Sequence, residues 1–368
     1  MKATSQALYL IRVGSGSGGG ILATDESFDE ETVALEGLEG LLSARVRTQK
    51  IPGAWRRQHA ETAAMTIVSL QELARALDKL REQGLDVVLL PGAALLRFYP
   101  DAGCRPMDDV DLLCAPGQVG LVAGALIEMG WTSVACHPDL LNGRHVHVDL
   151  HDDLFHCQRI AARRRVGWIA PDELWSRRRA IVVEGLHFWG LSPEDEVLYT
   201  AAHALRHRYR RVTWLTDLAL QLWDDELHID SLRQRSVASN LQQPVFFAMS
   251  LLQAANVQLP KTVRAWYRQG EPGRIVRWLL HGVLAARHTT AVGEILWYWT
   301  SPSWRDRRRS LSEFLFPRSD ILLQVFPGLP PHLAPVAYPL RCIQLATRLV
   351  CEVAAMMLAP VSRRVRRG

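Results

Sequence analysis

The sequence predicts an α+β protein in which a small mixed β-sheet domain is followed by a mostly helical domain. Three observations carry this. Apolar spacing changes from helical to strand-like after Gly84, and short strand patterns recur to residue 150. A hairpin pattern follows at 180–191, turning at Glu184-Gly185. From Ser192 onward the strand signals stop. A chain of 368 residues is long for one core. The expected division is an N-terminal extension over 1–60, the sheet domain over 61–191 and the helical domain over 192–368.

In order along the chain, residues 14–20 are a Gly/Ser run without the Lys-Ser/Thr of a phosphate loop, and read as a flexible linker. Ile67, Leu70, Leu73, Leu77 and Leu80 recur at helical spacing, predicting a helix from about Ala60 to Gln83 that Gly84 ends. Val87 to Leu90 reads as a buried strand stopped by Pro91-Gly92, and Ala93 to Phe98 can begin a helix. Val110 to Cys114 is a second strand, Gln118 to Met129 an amphipathic helix, Trp131 to Ala135 a third strand and His145 to Leu150 a fourth. Ala180 to Glu184 and Leu186 to Leu191 form the hairpin. Ser192 is then an N-cap, with Pro193 at the first helical position and Glu194 and Asp195 in the first turn of a helix reaching His207.

Composition narrows the function only a little. The formal net charge is +5, and four arginines of that excess are Arg363, Arg364, Arg366 and Arg367, so charge barely argues for nucleic acid. The six cysteines form no C-x-x-C pair, which excludes a zinc knuckle or thioredoxin-type motif and fits a reducing cytosol. Arg12 interrupts the short apolar run near the start, leaving no signal-peptide core. The apolar stretch 337–359 carries Arg341, Arg348 and Glu352, which are expensive in hydrocarbon, so it reads as a packed or interfacial helix. The expected location is the cytoplasm, with at most weak peripheral contact to the inner face of the membrane through this segment.

The chemistry resides in two short motifs. On a strand, Asp109 and Asp111 share one face while Val110 and Leu112 point inward. Two crowded carboxylates repel each other, yet suit Mg²⁺, a hard cation that takes carboxylate and phosphate oxygens. In the run His145 to His151 the period is two, which puts Asp149 on one face with His145, His147 and His151. Three carboxylates on neighbouring strands, preceded by a strand-Gly-helix turn at Gly92, suit in-line nucleotidyl transfer between metal ions. Asp108, one residue out of phase, should face away.

Leu89-Leu90-Pro91-Gly92-Ala93-Ala94-Leu95, Tyr99-Pro100, Arg105, Asp109-Val-Asp111-Leu-Leu and Val148-Asp149-Leu-His151, in this order, resemble the bacterial "uncharacterised nucleotidyltransferase" family of the DNA polymerase β-like superfamily. Leu191-Ser-Pro-Glu194-Asp195, His203, His207 and Trp214-Leu-Thr-Asp217 resemble its helical region, so the likeness spans roughly residues 65–225. It implies a polymerase β-like fold and a transferase that moves a nucleoside monophosphate, or another phosphoryl-containing group, from a nucleoside triphosphate such as ATP to a peptide, sugar or RNA. Asp109, Asp111 and Asp149 would hold Mg²⁺ or Mn²⁺, with Asp149 also helping to deprotonate the acceptor. Gly92 and Ala93 would offer backbone to the triphosphate, Arg105 would contact phosphate, and His203, His207 and Arg206 would face nucleotide or acceptor. Asp217 would orient one of those histidines or make a packing hydrogen bond. Two departures stand out: Pro91 occupies the position where the family carries Lys, and Ala93 offers no hydroxyl.

Two other readings stay open. The fold could persist as a catalytically inactive nucleotide-binding scaffold, which the missing lysine favours. Alternatively His145, His147, Asp149 and His151 could bind a transition metal as a hydrolase site, which leaves Asp109 and Asp111 unexplained.

Overall fold

A computed structural model of the chain describes residues 10–12, 15, 30–45, 51–134, 137–155, 157, 163–285, 291–301, 303–318, 322, 326, 330 and 334–358. Apart from Ser15, the Gly/Ser run lies outside the described residues, and so do the four arginines of the tail.

The fold is α+β, built around a seven-stranded mixed sheet. Its strands are β1 (Val87–Leu89), β2 (Val110–Cys114), β3 (Thr132–Val134), β4 (His137–Asn142), β5 (His147–His151), β6 (Arg179–Val183) and β7 (Leu186–Gly190), in the order β3-β4-β5-β2-β1-β7-β6. β2 runs antiparallel to β1 and parallel to β5, in a register that sets Asp111 opposite Asp149. The β6–β7 hairpin turns through Glu184 and Gly185 at φ 48° and 77°, the paired left-handed residues of a tight hairpin that follows strand twist.

Each face of the sheet is covered. Val87, Leu89, Val110, Leu112, Val148 and Leu150 pack beneath two helices, α3 (Gly53–Glu82) and α4 (Val119–Glu128), whose Leu70, Leu73, Leu77, Leu80, Val122 and Leu126 are buried with them. Val88, Leu90 and Leu113 point to the other face and join one continuous core with the helices after residue 192. The first of these is α7 (Pro193–Arg206), after the short α5 (Arg163–Val166) and α6 (Pro171–Ser176), and α8 (Thr213–Gln221) follows it. Leu38, Leu41 and Leu42, on and between α1 (Glu30–Glu36) and α2 (Glu39–Arg45), belong to the same core.

The remaining helices are α9 (Ile229–Ala238), α10 (Gln242–Ala254), α11 (Lys261–Tyr267), α12 (Arg274–Ala285), α13 (Ala291–Trp299), α14 (Trp304–Leu315) and α15 (Ala334–Leu358). Among the described residues, no helix is long and apolar enough to cross a membrane. α15 is mixed in burial: Leu345 is buried and Leu349 and Val353 pack against the core, whereas Leu340 and Ile343 are exposed.

Three elements differ from the sequence reading. α3 begins at Gly53, with Trp55 buried. The polar run Arg56-Arg57-Gln58-His59 hid the helical period there. Residues 93–98 form a 3₁₀ helix. β4 carries Pro138, Asp139 and Asn142, residues depleted in strands, and pairs with β3 through a register shift at Ser133/Val134.

Candidate active site

Parallel pairing of β2 with β5 brings the carboxylates together. Val110, Leu112, Val148 and Leu150 bury inward, so Asp111 and Asp149 emerge side by side on the opposite face. Asp111, Asp149 and His151 offer ligand atoms within 4.8 Å of one another. The His151 Nε2 lies 3.0 Å from Asp111 Oδ1 and 3.7 Å from Asp149 Oδ2, and the Tyr199 hydroxyl donates to Asp111 Oδ2 at 3.4 Å.

Electrostatics records the crowding. Burial, followed by repulsion from Asp111 and Asp149, pushes the Asp109 carboxyl up to about 6. Burial also raises Asp149, against the pull of His151. For His151, burial opposes protonation, but its hydrogen bond to Asp111 and the charges of Asp111 and Asp149 outweigh it and raise its pKa. The sequence pattern placed His151 on this face without separating it from His145 and His147. It alone of the three closes on Asp111, because its ring is enclosed by the core at 3% exposure.

Asp109, Asp111, Asp149 and His151 line a cleft of about 800 Å³, together with Pro91 and Gly92. Its other walls include α1 and α2 residues such as Glu36 and Glu39, and the end of α7 and start of α8 with His203, Arg206, His207, Arg210, Arg211 and Trp214. Gly92 has φ 134°, a backbone conformation L side chains rarely adopt, and the space beside its Cα is open. Ala93 packs into the core at 2% exposure, and its side chain does not line the cleft. The rings of His203, His207 and Trp214 pack together, tilted or edge-on, with centroids 4.4 to 5.3 Å apart. Burial and the charge of Arg206 push His203 down to about 3, so it is neutral at physiological pH. The charge of Arg206 also acts on Asp149, His151 and Tyr199.

Three sequence expectations change in the structure. Arg105 is on the cleft wall, but its guanidinium donates to both carboxylate oxygens of Asp217 at 2.9 and 2.8 Å, and the Tyr99 hydroxyl donates to the same group at 2.6 Å. Asp217 thus serves Arg105 and Tyr99 rather than a histidine, because it faces the 99–105 segment across the core. Asp108, exposed and just before β2, accepts from Arg211 at 2.5 Å, and both residues line the cleft, so strand alternation does not carry Asp108 away from it. His145 and His147 are exposed, with His147 paired to Asn142 at 2.6 Å. Among the described residues, Asp149 and His151 gather with Asp111 rather than with His145 or His147, which join no cluster of candidate metal ligands, so the four-residue hydrolase set is not brought together.

Glu194 is nearly fully buried and structural in its contacts: it accepts from the His228 backbone and pairs with Arg235, both at 3.2 Å. Arg177 and Arg235 hold the adjacent Asp195 at 2.8 and 3.2 Å, and Arg97 pairs with Glu196. A second cluster, His59, Asp101 and Cys104, has its own internal account. His59 lies 2.6 Å from Asp101, fastening α3 to the following turn, and burial pushes the Cys104 thiol up to about 12.

The model of the family described as "Uncharacterised nucleotidyltransferase" matches residues 31–255. The chain belongs to that family. Its match runs from within α1 to just past α10, so it includes every cleft residue named above. Among solved structures, this nucleotidyltransferase-family chain is similar to an antigenic nucleotidyltransferase-like protein from Paracoccidioides brasiliensis, with 15% identity, a TM-score of 0.36, and coverage of 53% of this chain and 93% of that one. No curated protein matches the sequence.

Proposed function

We propose that this chain is a metal-dependent nucleotidyltransferase that transfers a nucleoside monophosphate from an NTP to a peptide, sugar or RNA acceptor. The observation that carries the reading is the register of β2 and β5, which sets Asp111 beside Asp149, with Asp109 near, on the wall of a cleft facing Arg206 and Arg210.

The donor set fits a divalent cation. Three carboxylates are hard oxygen donors, and the upward shift of Asp109, set first by burial and then by the charges of Asp111 and Asp149, includes a repulsion that a cation would relieve. Asp109, Asp111 and Asp149 would hold Mg²⁺ or Mn²⁺. Bound there, the ions neutralise charge on the triphosphate and on the attacking and leaving oxygens.

The chain's own groups supply the rest. His151 and Tyr199 fix both oxygens of Asp111 by hydrogen bonds. The open backbone at Gly92 lets a triphosphate approach the amides at the start of the 93–98 helix, where Ala93 contributes only its N–H. Arg206, the last residue of α7, and Arg210, in the turn after it, both line the cleft and supply the cations that Pro91 and the engaged Arg105 do not. The His203, His207 and Trp214 rings offer a stacking surface for the base. The acceptor's nucleophilic oxygen or nitrogen bonds to the α-phosphorus as the bond to pyrophosphate breaks, and Asp149 takes the acceptor proton.

The test is incubation of the purified chain with each α-labelled NTP, Mg²⁺ or Mn²⁺, and a cell extract. Label transfer with pyrophosphate release, abolished by EDTA, is the expected result. Tight NTP binding without transfer would instead support the scaffold reading that Pro91 favours.

A further inference from the structure

The outer side of α15 has no partner among the described residues. Its inner side is accounted for: Leu345 and Met356 are buried, the Glu352 carboxylate accepts from the Ala291 and Val292 backbone at 2.9 to 3.0 Å, and Arg341 donates to the Phe314 carbonyl at 3.1 Å. Val336, Leu340, Ile343, Val350 and Met357 are 53 to 71% exposed. With Thr347 and Ala354 they fall at alternating steps of four and three residues, one continuous stripe along a helix of 25 residues. Pro339, Ala346, Cys351 and Ala355 border the stripe and are exposed too, so about half the circumference carries no charge.

Charge identifies what covers this face. After Glu352 the sequence holds no acidic residue, and Arg363, Arg364, Arg366 and Arg367 follow the helix. The same segment of a second copy would bring the same positive charge, and its one carboxylate, Glu352, is held by the Ala291 and Val292 backbone. A coiled-coil seam uses complementary charges beside its apolar stripe, which α15 lacks. An apolar face followed by a basic cluster is instead the pattern of a helix lying in a bilayer interface, and α15 is not apolar enough to cross one.

We propose that the outer face of α15 lies flat on an anionic membrane surface, with Leu340, Ile343 and Val350 in the boundary between headgroups and acyl chains and the terminal arginines drawn to acidic lipid. This would hold the cleft near a membrane-associated acceptor, but it does not depend on nucleotidyl transfer.

Flotation of the full chain with vesicles tests it. Binding is expected to phosphatidylcholine vesicles containing phosphatidylglycerol and not to phosphatidylcholine alone. It should weaken severalfold from about 0.1 M to about 0.5 M salt, and by on the order of tenfold or more when residues 361–368 are removed. Ile343→Glu with Val350→Glu should abolish it with Tm unchanged, since both side chains are already in solvent. Failure of the folded chain to bind anionic vesicles at any salt would overturn the proposal. So would conversion of a dimer to a monomer by the same double substitution without vesicle binding, because a second copy would then be the cover.

Discussion

Replacing Asp217 by Ala separates a structural Arg105 from a phosphate-binding one. The Asp217 side chain is 1% exposed and that of Arg105 is 9% exposed. Two guanidinium hydrogen bonds and one from Tyr99 converge on the carboxylate. Burial alone disfavours the charged guanidinium and Asp217 outweighs it in the native chain, so removing Asp217 leaves that burial largely unopposed on a guanidinium that stays protonated at ordinary pH. An uncompensated buried charge costs about 3–5 kcal/mol, which for a folding unit of this size lowers Tm by about 10 °C. Arg105→Met with Asp217→Leu removes both charges at similar volume and should recover most of that loss. Thermal unfolding of the single and double variants gives the coupling, and ATP affinity measured well below Tm gives the functional readout. Arg105→Ala should lower Tm and leave affinity nearly intact. A tenfold or greater loss of ATP affinity with unchanged Tm would refute the reasoning and return Arg105 to the phosphate.

Asp111→Asn should lower nucleotidyl transfer on the order of a hundredfold or more while Tm holds or rises, because one crowded charge disappears without a change in shape; activity and calorimetry on the same sample check it. Asp108→Ala should lose far less activity than Asp109→Ala, since the Asp108 carboxylate is already engaged by Arg211; equal loss would show that both reach the metal ions. His203 binds its proton near 6.5 when unfolded but only near 3 when folded, so its contribution to stability is present above 6.5 and declines as pH falls from 6.5 toward 3. At pH 5 the loss is about 1–2 kcal/mol, so His203→Phe should unfold less readily than wild type at pH 5 relative to pH 7.5 in urea titrations.

Much of the sheet was legible because its strands are short apolar runs with clear stops. Val110 to Cys114 appears with those bounds, and the alternation around Asp149 gives the face that the structure presents. What alternation cannot give is which strand lies beside which. The parallel β2–β5 pairing that aligns Asp111 with Asp149 is a long-range contact, and β4, with its proline and polar residues, lacked a local signature. Arg105 shows the same limit: an arginine four residues before a D-x-D motif suggests phosphate, while the Asp217 that occupies it lies 112 residues away. The buried ions at the start of α7 were legible only as helix-capping residues, since their arginine partners come from other elements.

That anchored turn bears on how the cleft can be altered. Arg206 closes α7 about 17 Å along the helix from the turn clamped by Arg97, Arg177 and Arg235. One end of the rod sets its aim and the other presents His203, Arg206 and the following His207 to the cleft. Libraries confined to positions 206, 207 and 210 can therefore vary charge and ring chemistry at the cleft while the aiming end stays untouched. Selecting such libraries for a new acceptor should yield folded variants at high frequency, whereas randomising 194–196 should yield few.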